Sequence, residues 1–65
     1  MAFSIFDVVA LVEDLPKENL KAGARGTVID VYTQPCEAYE IEFCDDVGRT
    51  IALLALLPNQ VTRVL

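Results

Sequence analysis

Residues Ala38 to Phe43 carry the cleanest alternation in the chain, placing Tyr39, Ile41 and Phe43 on one side and Glu40 and Glu42 on the other. A period of two predicts a half-buried strand with one face in the core and one in water. Val8 to Val12 is rich in β-branched side chains and apolar throughout, and Glu13-Asp14-Leu15-Pro16 closes it, because Pro16 has no N–H to give a ladder. Thr27 to Tyr32 is a second β-rich run, entered through Gly23-Ala24-Arg25-Gly26, a glycine pair that predicts a turn or a sharply bent strand. Between these runs Lys17 to Gly23 reads as a loop with a helical turn at Lys17 to Leu20, and Leu15 and Leu20 are expected to fold back as lids on the core.

Thr33-Gln34-Pro35-Cys36 is a turn, and Asp45-Asp46-Val47-Gly48 has the Asp and Gly residues of a tight hairpin. The Leu and Ala residues of Ile51 to Leu57 would allow a helix on propensity alone. Between a hairpin turn and Pro58 the segment is too short for a stable helix and ordinary for a strand. Pro58-Asn59-Gln60 predicts a short 3₁₀ turn, and Val61 to Leu65 a last strand. The fold class is therefore all-β: one domain over residues 1–65, a small five-stranded antiparallel SH3-like barrel with one long loop after the first strand. A ferredoxin-like fold would need two helices of period 3.6, which no window offers.

Two runs carry more apolar surface than such a barrel can hide. Val8 to Val12 and Ile51 to Leu57 are apolar on both faces, so one face of each needs a cover. The first loop and Phe3-Ser4-Ile5-Phe6 could supply it from within, while a partner protein could supply it from outside. On the second reading the docking surface is an apolar patch of Val8, Ala10, Ile51 and Leu53 with an acidic rim of Glu13, Asp14, Glu40, Glu42, Asp45 and Asp46.

Charge sharpens this picture. Ten acidic residues against five basic ones give a net charge of -5, which disfavours contact with a phosphate backbone and favours a basic partner. With no His and a single Ser, no nucleophilic triad can be assembled in the usual way, and the carboxylate pairs lack the cleft that glycoside chemistry needs. The expected protein is not an enzyme and has no cofactor. Asp45 and Asp46 lack the ligand density of a calcium loop, so no metal is expected there. Cys36 and Cys44 sit at opposite ends of the third strand, too far apart to bridge, and read as free thiols. The longest apolar run has seven residues, short of a membrane span, and the N-terminus lacks a basic leader, which points to the cytoplasm.

The segments Asp7-Val8-Val9-Ala10-Leu11, Glu13-Asp14-Leu15-Pro16, Gly26-Thr27-Val28, Ala38-Tyr39-Glu40-Ile41-Glu42-Phe43 and Gly48-Arg49-Thr50-Ile51-Ala52 resemble a family of small uncharacterised bacterial proteins, common in cyanobacteria. The resemblance covers nearly the whole chain and implies an SH3-like barrel without implying any activity. A looser resemblance, carried by Asp7-Val8-Val9 and Gly23 to Val28, links the chain to KOW-type modules of ribosomal and transcription elongation proteins. The chain lacks the clustered Lys and Arg of their RNA-contacting members. The expected function is a non-enzymatic protein-protein interaction module that docks a basic protein or a second copy of itself. The alternatives are an acidic antitoxin or immunity-type neutraliser of a basic nuclease and a KOW-like nucleic-acid-associated module.

Overall fold

The computed structural model describes residues 2–64. Five antiparallel strands form one sheet: β1 (Val8–Leu11), β2 (Arg25–Tyr32), β3 (Ala38–Cys44), β4 (Thr50–Leu56) and β5 (Val61–Arg63). Their order across the sheet is β4-β3-β2-β1-β5. Short 3₁₀ turns occupy Pro16–Glu18 and Pro58–Gln60. Strand β2 starts at Arg25, ahead of the expected Thr27, because Arg25 and Gly26 pair with Ala10 and Val9. The first 3₁₀ turn starts at Pro16 rather than Lys17, since the proline ring presets φ for a first helical position. Asn19 in the left-handed region ends it, and a bridge between Leu15 and Leu20 closes the loop, with Leu20 buried and Leu15 packed on the core. The last strand ends at Arg63: Val64, expected within it, lies beyond the strand although its N–H still donates to the Val8 carbonyl, and Leu65 is outside the described residues.

Inward-facing residues of the four longer strands and Val61 make the core: Val9, Leu11, Val28, Tyr39, Ile41, Phe43 and Leu56 among them. Gly26 of β2 lies hard against β3. A Cβ there would stand 2.5 Å from Ile41 Cγ2 and 3.0 Å from the Glu42 carbonyl oxygen, so only glycine fits without displacement. A bulge at Ile29 separates the pairs Val28 with Ile41 and Asp30 with Glu40. It puts both Val28 and Val31 toward the core, although they are three residues apart.

The N-terminal segment plugs one corner of the core. Phe3 is buried and meets Tyr39 edge to face, with ring centroids 5.2 Å apart. The Tyr39 hydroxyl donates to the Glu37 carboxylate and accepts from the backbone N–H groups of Ala2 and Phe3. Arg63 lies over the Phe3 ring at 5.8 Å and donates to the Ala2 carbonyl and the Asp7 carboxylate. Burial holds the Tyr39 phenol above its ordinary pKa, with the bond to Glu37 acting in the same direction.

Strands β4 and β5 are the two ends of the sheet order. After Leu57 the Pro58–Gln60 turn redirects the chain, the Gln60 side chain accepting from the Leu57 N–H at 2.8 Å, and β5 then pairs with β1. Strand β4 pairs with β3 on one side and, among the described residues, with no strand on the other.

Candidate functional site

Strand register decides which of the apolar candidates meet. Val8 stands opposite Thr27, Thr27 opposite Glu42, and Glu42 opposite Leu53. Val8 and Leu53 therefore lie in one cross-strand row but three strand spacings apart, about 14 Å, with two polar side chains between them. Ala10 sits opposite Arg25 on the Val8 side. The expected patch is thus two patches, Val8 with Ala10 on β1 and Ile51 with Leu53 on β4.

Both patches face solvent. Val8 is 42% exposed, Ile51 57% and Leu53 53%. The N-terminal segment buries Phe3 and leaves Phe6 78% exposed, so Phe6 is no lid over either run. Phe6 occupies the left-handed region at φ 76°, in a turn closed by the Asp7 N–H on the Ser4 carbonyl, and its own N–H donates to Val28.

The acidic candidates gather around β4 more than around β1. Glu42 is the cross-strand neighbour of Leu53 and Glu40 that of Ala55, while the Asp45-Asp46 hairpin leads directly into the strand. Glu13 and Asp14 lie apart in sequence, just before Leu15, and Asp14 accepts from the Ala22 N–H in the first loop. A second bulge, between the pairs Phe43 with Ala52 and Cys44 with Thr50, leaves Ile51 without a partner residue and helps explain its exposure.

Several of these carboxylates are already engaged. Glu42 accepts from the Thr50 hydroxyl at 2.6 Å and Glu40 from the Tyr32 hydroxyl at 3.0 Å. The bond to Glu40 raises the Tyr32 pKa. Asp45 accepts from the N–H groups of Val47 and Arg49 and pairs with the Arg49 guanidinium at 2.9 Å. The Arg49 N–H is the main cause of its depressed pKa, and the hairpin is ordered by its own backbone, with Gly48 supplying the positive φ. Among the described residues no three His, Cys, Asp or Glu side chains come together as a metal site. Cys36 and Cys44 are exposed free thiols.

Sequence reasoning missed one feature. A groove of about 530 Å³ runs between the Leu15–Glu18 turn and residues Leu54, Ala55 and Leu56 of β4. Leu15, Pro16 and the apolar end of β4 were each legible as residues. Their meeting depends on how a long loop returns across the sheet, for which the pattern has no local signal.

Fold and site together define an all-β, five-stranded antiparallel domain with an exposed apolar strand at one sheet edge and acidic neighbours beside it. The chain belongs to the family described as Domain of unknown function (DUF4926), whose model matches residues 5–63. No curated protein and no solved structure gives a match to it. Among the described residues no helix is long and apolar enough to cross a membrane.

Proposed function

We propose that this protein is a non-enzymatic protein-protein interaction module of SH3-like architecture, working in the bacterial cytoplasm and docking a basic protein through the outer face of β4. The observation that carries this reading is the pairing of two large exposed side chains, Ile51 and Leu53, with the carboxylates of the neighbouring strand. An apolar centre with a charged border supplies contact area and orientation together, since the border steers an oppositely charged partner and disfavours a like-charged one. The strand order, the long first loop and the 3₁₀ turn before β5 support the SH3-like assignment. The non-enzymatic reading rests on the absence of His and on the position of Glu40 and Glu42 on a strand face, not in a cleft.

The same acidic surface gives a second reading some support, that of an immunity-type neutraliser whose partner is a basic nuclease. It differs from the first only in the partner's identity. A KOW-like contact with nucleic acid is the weaker alternative, because a net charge of -5 opposes the phosphate backbone.

The test compares the tagged wild-type chain with a variant carrying Ile51→Gln and Leu53→Gln, both at exposed positions. A basic protein that co-purifies with the wild type and is lost with the variant is the expected result. Equal recovery by the two chains, or retention of RNA in place of protein at ordinary salt, overturns the proposal.

A further inference from the structure

Leu54, Ala55 and Leu56 are consecutive strand residues, so their side chains point alternately to the two faces of β4. All three nevertheless line one groove, with the Leu15–Glu18 turn as its far wall. A cavity that touches both faces of a strand runs along its edge. The edge concerned is the one β4 does not share with β3, where its backbone N–H and C=O groups have no strand partner among the described residues.

Natural sheet edges are commonly blunted by charged residues, Pro or bulges. Strand β4 has a bulge at Ile51, beside the hairpin, and none from Ala52 to Leu56, a stretch that also contains no charge and no Pro. Building on the docking role proposed above, we infer that this edge accepts an extended segment of the partner as an added strand, and that the segment alternates apolar and basic residues. Main-chain hydrogen bonds would supply affinity and alternate side chains specificity. On the inner side, apolar residues of the segment meet Leu15, Leu54 and Leu56. On the outer side, Ala55 is too small to screen Glu40 behind it, so a long basic side chain beside Ala55 can reach across two strand spacings, about 10 Å.

Charge selects a foreign basic segment over a second copy of this chain. Around β4 stand Glu18, Glu40, Glu42 and Asp46 against Lys17, while Asp45 and Arg49 neutralise each other. A second copy would bring that excess of acid against its own kind.

The experiment is a fluorescence anisotropy titration of the intact protein with a short synthetic peptide of alternating valine and lysine. Three control peptides accompany it: the same composition in two blocks, alternating valine and glutamate, and the first peptide N-methylated at every second residue to remove the donors of one edge. The alternating basic peptide is expected to bind about 10-fold or more tightly than each control, a gap of about 1.4 kcal/mol. Ala55→Lys, an exposed change that guards the edge, should weaken it by a similar factor. Equal binding of the block peptide, or indifference to both N-methylation and Ala55→Lys, reduces the contact to charge alone and overturns strand addition. If the chain instead dimerises, and Ala55→Lys abolishes the dimer, the edge binds a second copy and the basic-segment assignment falls while a docking role survives. If Ile51→Gln with Leu53→Gln removes the partner but Ala55→Lys does not, docking is by the face and the edge proposal alone fails.

Discussion

The N-terminal corner and the β4 edge are both places where the sheet could have been left unfinished, and the chain treats them in opposite ways. At the corner, Phe3 fills the gap beside Tyr39, the Tyr39 hydroxyl has partners in Glu37, Ala2 and Phe3, and Arg63 ties the segment to Asp7. At β4, one backbone edge lacks a strand partner and two large side chains remain more than half exposed. Burying a large aliphatic side chain stabilises by about 1.5–3 kcal/mol, so half-exposed Ile51 and Leu53 withhold roughly 1 kcal/mol each from folding. The corner uses its contacts for the fold, whereas the edge leaves its own unmade, free for the association proposed above.

The largest expected effect breaks the corner. Tyr39→Ala removes a fully buried ring together with its hydrogen bonds, at a cost of about 3–5 kcal/mol. A domain of this length has roughly 3–10 kcal/mol in all, so urea denaturation should find about a third of the stability or more removed, and the variant unfolded if the wild type lies at the low end. Gly26→Val comes next, at about 1–3 kcal/mol, because the Glu42 carbonyl cannot move away without disturbing the pairing of β2 with β3. Tyr39→Phe keeps the packing and removes only the hydroxyl, leaving Glu37 and the Ala2 and Phe3 amides without it, for about 1–2 kcal/mol. A neutral Tyr39→Phe would mean that shape alone closes the corner, and the contrast with β4 would lose its polar half.

Much of this contrast could be read from residue order, and the part that could not is instructive. The alternation of residues 38–43 predicted which side chains of β3 are buried, since a period of two leaves no freedom once one face is apolar. The double-faced apolar character of Ile51 to Leu57 predicted a face that the barrel interior cannot cover, and Ile51 and Leu53 of β4, with Leu57 just beyond it, are exposed. Two bulges were invisible because each is a choice of register between strands, with no cost visible in either strand alone. Pooling Val8 with Leu53 in one patch failed for a related reason: the strand order inserts β2 and β3 between them. The groove escaped notice because its two walls are far apart in sequence.

Titration sharpens the comparison, since the corner holds ionisable groups that the edge itself lacks. Asp7 is held below the usual carboxylate range chiefly by the Ser4 N–H, with Arg63 adding to it, and Glu37 chiefly by the Tyr39 hydroxyl. A carboxylate whose pKa is lower in the folded state stabilises above its unfolded pKa, and that contribution is lost as pH falls through the folded value. Tyr39 has the opposite sign: its raised pKa stabilises below about pH 10 and is lost as pH rises through the folded value. Stability measured by urea midpoints should be flat between about pH 5 and 9 and decline outside that window. Tyr39→Phe should flatten the alkaline decline and, by freeing Glu37 from the phenol, shrink the acid one. An alkaline limb that is unchanged in the variant would assign it to another group.

The smallest expected effect falls on β4, and smallness is the point. Ile51→Gln and Leu53→Gln replace half-exposed apolar groups with polar ones of similar length, so each should shift unfolding free energy by no more than about 1 kcal/mol. Binding of an apolar dye should fall in the same variants, because more than half of each side chain is surface that folding leaves uncovered. If either substitution costs more than about 1 kcal/mol in the dilute protein, that side chain is packed in solution by its own chain or by a second copy. Repeating the denaturation over a range of protein concentration separates these two cases, because only the copy's contribution rises with concentration. A concentration-independent cost would place β4 in the same class as the corner, with its contacts already used by the fold and no apolar face left for docking.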